Sequence, residues 1–449
     1  MGRYSVTPRL KVSSEGIIIG DSEKGALKLG TLAEGRSGIT VGLDFTKEHV
    51  IAIVGKRGSG KSYTLGKIIE GLSNSSGEFN SNPENSPASI CFDLMDIYWT
   101  SKYKLKPEMT GAPGEQYKLC ENKNIPMDGK FDVDLYVPAG FETNDDPDGI
   151  NLFTLPIEYF EIDDWQHLLE VDPNGPTGAL VAESLYYVAN GWLDGDDSGI
   201  PAKEISLDNM IDFIENSQIA DTNYQSGTRR AVIQRMNSWR NNDLVKDSHF
   251  DVRNLLKTGK SSIIMLGRLA ENIRFVVISI LTRLIMKIRR QDSFLSKRAM
   301  VESEYTVEEQ SSRCWILCDE TQLVAPRGRS NHAKKNFIRL VKEGRNFGTS
   351  FIFATQQPSA VDEELLSQTD VIISHQLAME RDINDIRRYS KGRKMETMKA
   401  GKIEFDYPQL MRALNPGQAI VSFISKFRDS REIIVDVDPR ARVHGGFEV

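Results

Sequence analysis

The sequence has few of the features that mark secreted, membrane-bound or strongly basic proteins. Only four of its 449 residues are cysteine, and its charged residues leave a net charge of −7. Four unevenly spaced cysteines are too few for a disulfide framework, and an acidic chain has no overall positive field that would attract nucleic acid. We therefore expect a reducing, cytoplasmic location, with any nucleic-acid contact confined to local basic patches.

Long apolar runs are also missing. The most apolar helical stretch, residues 275–288, is interrupted by Thr282, Arg283 and Lys287. It is too short and too polar to cross a bilayer, and no apolar signal segment follows Met1. We expect a protein without a membrane partner, in which this stretch is a core helix.

A glycine-rich stretch at residues 55–62 has the sequence Gly-Lys-Arg-Gly-Ser-Gly-Lys-Ser. It fits the phosphate-binding pattern G-x-x-x-x-G-K-[ST], and it lies between a strand candidate at residues 50–54 and a helix candidate at residues 63–72. In this setting, backbone N–H groups and the helix N-terminus converge on phosphate oxygens. The predicted nucleotide-binding residues are Gly55, Gly58, Ser59, Gly60, Lys61, Ser62 and Tyr63.

The motif and a later strand together supply the chemistry of nucleotide hydrolysis. Lys61 is expected to contact the β- and γ-phosphates, and the Ser62 hydroxyl is expected to ligate Mg²⁺. The apolar residues 314–318 end in Asp319 and Glu320. Asp319 is the expected carboxylate partner of Mg²⁺, and Glu320 is the expected base for the attacking water. The expected cofactors are ATP and Mg²⁺.

Two further segments add candidate residues. Another apolar strand, residues 351–354, leads to Gln356, whose amide could contact the γ-phosphate or orient the water. Residues 324–345 contain seven basic residues against the single acid Glu343, so we expect this basic segment to meet an anion. Within it, Arg345 is a candidate arginine finger that acts on the nucleotide of a neighbouring subunit. The basic residues are Arg327, Arg329, Lys334, Lys335, Arg339, Lys342 and Arg345.

Strand and helix patterns alternate along the chain, which predicts an α/β fold with a mainly parallel sheet and helices on both faces. The predicted division is a short N-terminal β segment at residues 1–46, an ATPase core at 47–100 and 255–425, a mainly helical insertion at 101–254, and a C-terminal strand and tail at 426–449.

Several of these motifs resemble the HerA branch of the HerA/FtsK ATPases. They are the P-loop, the Asp-Glu strand end, Glu-Gly-Arg-Asn-Phe-Gly at 343–348, Ala-Thr-Gln-Gln-Pro at 354–358 and Leu-Asn-Pro-Gly-Gln-Ala at 414–419. The resemblance covers about residues 40 to 445. It implies a RecA-like P-loop NTPase assembled as a hexameric ring, with double-stranded DNA in the pore and a nuclease or other effector on one face. It also implies that Gln356 is a sensor and Arg345 a finger acting in trans.

The sequence departs from this family in two places. Only about 46 residues precede the P-loop strand, where the family usually has a longer β-barrel, and Gln322 stands where histidine is frequent.

Two functions stay open. One function is an ATP-driven DNA translocase or helicase. The other is an ATPase scaffold that assembles and regulates an effector encoded by an adjacent gene, such as an antiviral nuclease or an NAD-consuming enzyme. A GTPase is disfavoured, because no Asn-Lys-x-Asp motif follows a strand.

Overall fold

The computed structural model describes residues 16–20, 25–34, 38–73, 80, 85–194, 198–245, 250–302, 311–391, 394–400, 403–423 and 432–446. Its strands are β1 (Ile17–Ile19), β2 (Ala26–Leu32), β3 (Thr40–Asp44), β4 (Val50–Val54), β5 (Ala88–Asp93), β6 (Val133–Pro138), β7 (Ile150–Phe153), β8 (Trp192–Asp194), β9 (Ser198–Ile200), β10 (Ser261–Met265), β11 (Cys314–Cys318), β12 (Thr349–Thr355), β13 (Val371–Ser374), β14 (Thr397–Ala400), β15 (Ile403–Asp406), β16 (Gln418–Phe423) and β17 (Ile433–Val437). Its α-helices are α1 (Lys61–Ser73), α2 (Gly111–Asn122), α3 (Ile162–Leu168), α4 (Pro176–Asn190), α5 (Leu207–Asn216), α6 (Gln218–Asn223), α7 (Ser226–Trp239), α8 (Glu271–Val301), α9 (Thr321–Val324), α10 (His332–Glu343), α11 (Glu363–Gln368), α12 (Glu380–Tyr389) and α13 (Tyr407–Ala413).

One large sheet organises the described part of the chain. Its strand order is β1-β3-β2-β17-β16-β13-β4-β12-β11-β5-β10-β6-β7. From β13 to β7 every neighbouring pair is parallel, whereas β16 and β17 pair antiparallel with their neighbours. The predicted mainly parallel sheet is confirmed. Because β4, β12 and β11 are adjacent and parallel, the residues that follow these three strands lie side by side at one edge.

Helices cover both faces of this sheet, as the alternating pattern predicts. Every residue of β4 is buried, which is typical of a strand enclosed on both sides. Ile51 and Ile53 pack in the same core as Leu65 and Ile68 of α1. Val50 faces the opposite core, which contains the apolar side chains of α8 and α10. Helix α1 therefore covers one face of the sheet at β4, and α8 and α10 cover the other.

Residues 101–254 combine helices with two strands of the main sheet. Helices α2 to α7 lie in this segment. However, β6 and β7 extend the sheet beyond β10, so the sheet includes residues from inside the predicted insertion. The alternation of Val133, Leu135 and Val137 explains β6, because these side chains share one apolar core. The division of the chain into four parts stays a prediction.

Both predicted terminal β segments join the same sheet. The N-terminal strands β1, β2 and β3 connect to it through the antiparallel pair of β2 and β17. Within the C-terminal segment, β17 pairs with β16 on one side and with β2 on the other. Residues 438–446, called the C-terminal strap below, leave β17 and cross α1 towards α2. None of the described helices combines the length and the apolar character needed to span a membrane.

Candidate nucleotide-binding site

The P-loop, residues 55–62, turns tightly between β4 and α1. Gly58 and Gly60 have positive φ angles of 75° and 108°, which favour glycine. A Cβ atom at Gly55 would lie 2.4 Å from Ser59 Oγ and 2.7 Å from His375 Cβ. Side chains at these three glycines would therefore strain or block the loop.

Lys61 is buried beside the two predicted acids. Its ammonium group donates to Asp319 Oδ1, and it lies 3.1 Å from Glu320 Oε1. Burial by itself would lower the pKa of Lys61, but the two carboxylates outweigh burial and raise it. Burial by itself would raise the pKa of Asp319, but Lys61 and the hydrogen bonds to the carboxylate lower it. Lys61 and Asp319 therefore stay charged, and a phosphate must compete with Asp319 and Glu320 for the Lys61 ammonium group.

The Asp319 carboxylate also accepts hydrogen bonds from two hydroxyl groups. Ser62 Oγ donates to Asp319 Oδ2 over 2.7 Å, and the buried Tyr98 hydroxyl donates to the same oxygen over 2.6 Å. Tyr98 is placed by Asp93, which accepts its backbone N–H over 2.7 Å. A serine hydroxyl and a carboxylate are oxygen ligands that suit Mg²⁺, which usually binds one or two carboxylates and takes its other ligands from phosphates and water. The side chains present therefore fit the predicted ion.

Two glutamines fix the Glu320 carboxylate. Gln356 Nε2 donates to Oε1 over 2.6 Å, and Gln322 Nε2 donates to Oε2 over 2.6 Å. Thr355 Oγ1 in turn donates to the side-chain oxygen Oε1 of Gln322 over 2.7 Å. Glu320 also has a left-handed backbone with φ of 48°, a conformation that is strained for a side-chain-bearing residue. Each oxygen of the expected base is thus held in place by an amide donor.

A cavity of about 680 Å³ opens over the P-loop, a volume in the range of small-molecule sites. Gly58, Gly60, Lys61, Ser62 and Tyr63 line it, together with Glu320 and Gln356. Gly55 and Ser59 belong to the loop but do not line the cavity. They are buried on its inner side, where they stabilise the loop conformation. The structure thus brings together nearly every site residue predicted from the sequence.

Arg345 is the predicted site residue that lies elsewhere. Its Nη2 donates to Asp370 Oδ1 over 2.8 Å and to the Gln368 carbonyl over 3.0 Å. Arg345 precedes β12 and Asp370 precedes β13, so both lie at the amino ends of strands whose carboxyl ends meet the P-loop. At about 3.3 Å per residue, these strands separate Arg345 from the P-loop by roughly 20 Å. Arg345 cannot reach the nucleotide site of its own chain.

The basic segment at residues 324–345 is largely neutralised by carboxylates of the same chain. The anions that it meets in this structure come from α3, α10, α11, α12 and the residues beside them, so its charge is not a free positive patch. The pairs are Arg327–Asp385, Lys334–Asp362, Lys335–Asp163, Arg339–Glu343, Lys342–Glu364 and Arg345–Asp370.

Two residues of the site have roles that the sequence patterns did not assign. Tyr98 supports Asp319, as described above. His375 Nδ1 donates to the Gln418 carbonyl and its Nε2 accepts from Thr64 Oγ1, each over 2.8 Å. Burial lowers the pKa of His375 to about 4, so the ring stays neutral and ties α1 to β16. Tyr98 and His375 both follow the carboxyl ends of apolar strands, which is the signal that could have identified them.

The chain is similar in sequence to known helicases. A family model described as "Helicase HerA, central domain" matches residues 27–285. The "Probable helicase MJ1565" of Methanocaldococcus jannaschii is 25% identical over 243 residues, which are 54% of this chain and 38% of that protein. The "DNA double-strand break repair helicase HerA" of Pyrococcus furiosus is 26% identical over 103 residues, which are 23% of this chain and 18% of that protein. The chain thus spans well under half the length of these relatives.

Solved structures resemble the fold more completely. VirB4 of Thermoanaerobacter pseudethanolicus aligns with a TM-score of 0.51 and 12% identity, covering 94% of this chain and 98% of that chain. The bacterial conjugative coupling protein TrwBdeltaN70 aligns with a TM-score of 0.50 and 11% identity, covering 94% of this chain and 92% of that chain. At these identities the likeness concerns the fold, and it confirms the predicted RecA-like α/β architecture.

Proposed function

The chain belongs to the family of the HerA helicase central domain, and we propose that it is a Mg²⁺-dependent ATPase that forms a hexameric ring and drives movement on double-stranded DNA. The observation that carries this proposal is the convergence of the P-loop, Asp319, Glu320 and Gln356 at one edge of the sheet. A phosphate-binding loop alone would support nucleotide binding. The added acids supply the groups that hydrolysis requires.

Hydrolysis by this site uses the side chains in distinct roles. The P-loop N–H groups and Lys61 bind the phosphates, so Lys61 exchanges its carboxylate partners for phosphate oxygens. Ser62 and Asp319 would hold Mg²⁺, which neutralises charge on the phosphates when bound. Glu320 accepts a proton from the attacking water. Because Gln356 donates to Glu320 and lines the same cavity, it can link the position of this base to the presence of a γ-phosphate.

The position of Arg345 supports assembly into a ring. Its side chain is 42% exposed at the sheet edge opposite to the P-loop. In a head-to-tail ring, one edge of each subunit faces the other edge of its neighbour. Arg345 would then leave Asp370 and stabilise the charge on the neighbour's phosphates, as an arginine finger does. A partner nuclease or other effector would act together with such a ring.

A second function, an ATPase scaffold for a separately encoded effector, is supported by the charge distribution. The basic segment at residues 324–345 is matched by the carboxylates described above, and the chain carries a net charge of −7. Duplex DNA is bound chiefly through phosphate contacts by free cationic groups. A platform for a protein effector, such as an antiviral nuclease or an NAD-consuming enzyme, needs no such surface.

Measuring the native mass and the ATPase rate separates these functions. A motor predicts a ring at micromolar protein and a faster ATPase with duplex DNA at low salt. A ring whose ATPase ignores DNA, and whose Lys61→Ala variant still binds the product of an adjacent gene, supports the scaffold. A monomer without Mg²⁺-dependent hydrolysis would contradict both functions.

A further inference from the structure

The C-terminal strap is fastened to the helix that follows the P-loop. Glu70 of α1 accepts the backbone N–H groups of Ala441 and Arg442 over 2.9 and 3.0 Å. The Tyr63 hydroxyl accepts the N–H of Arg440 over 2.8 Å. Because Glu70 and Tyr63 lie on the helix whose first turn contacts the phosphates, the position of the strap is fixed relative to the phosphate site.

A buried arginine holds the strap across this helix. Arg440 is fully buried, and its guanidinium donates to Glu70 over 3.2 Å and to Ser101 Oγ over 2.7 Å. It lies directly over Gly66, where a Cβ atom would be 2.4 Å from Arg440 Nη1. A side chain at position 66 would displace the Arg440 guanidinium from this position. The strap is therefore packed firmly against α1 as part of the core structure.

The Arg440 guanidinium also determines which ring nitrogen of His444 carries the proton. Arg440 Nη1 donates to His444 Nδ1 over 3.1 Å, since a guanidinium cannot accept a hydrogen bond. The remaining ring proton is therefore on Nε2. Burial and the nearby Arg440 charge lower the pKa of His444 to about 3, so the ring stays neutral. His444 lines the cavity and packs edge-on against Tyr63 at a centroid distance of 5.1 Å.

Apolar side chains complete this end of the cavity. Met95 and Leu119 line it and remain 56% and 44% exposed. Pro416 and Val437 line it as well. Exposed apolar side chains beside a phosphate cradle are suited to a flat, weakly polar group joined to phosphates. A nucleobase has these properties.

We propose that the strap and α2 form the nucleobase subsite of this cavity, with His444 Nε2 as the donor that recognises adenine. This subsite rests on the proposed nucleotide binding at the P-loop. Adenine is favoured over guanine because guanine carries more polar groups that need partners when buried. The side-chain amide of Gln116, beside His444, already has hydrogen-bond partners. Its Nε2 donates to the backbone carbonyls of Arg440 and Arg442, and its Oε1 accepts the backbone N–H of His444.

The charged residues that line the cavity on α2 and directly after it do not alter this preference. Glu115 and Lys123 line the cavity, but both are exposed to solvent. Charged groups that remain hydrated contribute little to the selection of a buried ligand group. Selectivity should therefore depend on His444 and on the apolar wall.

Equilibrium binding of ATP, GTP and inorganic tripolyphosphate tests the subsite. The variants are His444→Ala, the conservative His444→Gln and Leu119→Ala, with Lys118→Ala as the matched solvent-facing control on α2. We expect wild type and Lys118→Ala to prefer ATP to GTP roughly tenfold, and His444→Ala to bind ATP roughly tenfold more weakly. His444→Gln, which retains an N–H donor, should recover most of the affinity. Tripolyphosphate should bind all variants alike.

The outcomes separate this inference from the proposed function. Equal affinities for ATP and GTP, together with unchanged ATP binding by His444→Ala and Leu119→Ala, would overturn the subsite while leaving nucleotide binding intact. Loss of tripolyphosphate binding in His444→Ala would give His444 a structural role and would also overturn it. If wild type bound neither ATP nor tripolyphosphate, the proposed function itself would fail.

Discussion

The hydroxyl of Ser62 donates a 2.7 Å hydrogen bond to Asp319, although the two residues are 257 positions apart in the chain. This contact places the first residues of α1 directly against the end of β11. Lys61 binds the same carboxylate on its other oxygen. The proposed binding of phosphate and of Mg²⁺ would therefore involve the same small set of atoms, so a change in one would alter the other.

Replacing Lys61 with methionine should destabilise the protein as well as remove nucleotide binding. The change leaves Asp319 and Glu320 buried together without their cation. Breaking a buried ion pair in this way costs about 3 to 5 kcal/mol, so we expect the free energy of unfolding at pH 7 to fall by about 3 kcal/mol. Urea titration measures this change, with Lys118→Met as the exposed control. Equal stability of both variants would show that the acids do not depend on Lys61.

Replacing Glu320 with glutamine should stop turnover while leaving ATP bound. Glutamine cannot accept the proton of the attacking water, and general-base catalysis contributes roughly 100-fold or more. Steady-state hydrolysis should fall by about that factor, and nucleotide affinity should stay close to that of wild type. Glu215→Gln, an exposed residue of α5, serves as the control. Normal turnover by Glu320→Gln would remove Glu320 from the role of base.

Replacing Tyr98 with phenylalanine should raise the Mg²⁺ requirement. The variant loses the 2.6 Å hydrogen bond that orients Asp319, and loss of a partner around a metal ligand typically weakens metal binding about tenfold or more. We expect the Mg²⁺ concentration for half-maximal hydrolysis to rise by about that factor, with Mg²⁺-free ATP affinity unchanged. Tyr103→Phe is the matched control. An unaltered Mg²⁺ dependence would assign Tyr98 to packing alone.

His49 should make stability depend on pH near the opposite sheet edge. Burial by itself would lower its pKa, but the hydrogen bond to Asp370 and the negative charges of Asp370 and Asp44 raise the pKa of His49 to about 9. A raised histidine pKa gives stability that is fully present below the ordinary pKa near 6.5 and is lost as the pH rises through about 9. Comparison of wild type with His49→Gln by urea titration should show an advantage of about 3 kcal/mol at pH 6 that disappears by about pH 9.5. An advantage that is constant with pH would contradict the charged state of His49.

Local patterns predicted much of the site, whereas long-range packing determined the rest. Strand β4 and the Asp319-Glu320 strand end follow from short apolar runs with polar ends, so their convergence could be expected. The bond of Tyr98 to Asp319 joins residues 221 positions apart, and a tyrosine after a strand has many possible partners. Arg440 resembles a surface residue in sequence, and its burial depends on Glu70 and Gly66, which lie in a helix far away in the chain. The partners in such pairs are set by the fold, so a local pattern can mark one residue of the pair but cannot identify its partner.

Hydrolysis by a mixture of two inactive variants tests the central claim most directly. Arg345→Ala keeps an intact P-loop but lacks the finger, and Lys61→Ala keeps the finger but lacks the phosphate lysine. Each variant alone should hydrolyse almost no ATP. In randomly mixed rings, about a quarter of the interfaces combine an intact P-loop with an intact Arg345 from the neighbour, so a mixture in equal amounts should recover up to about a quarter of the wild-type rate. A mixture that stays inactive, or an Arg345→Ala variant that hydrolyses ATP like wild type, would contradict a site completed by the next subunit.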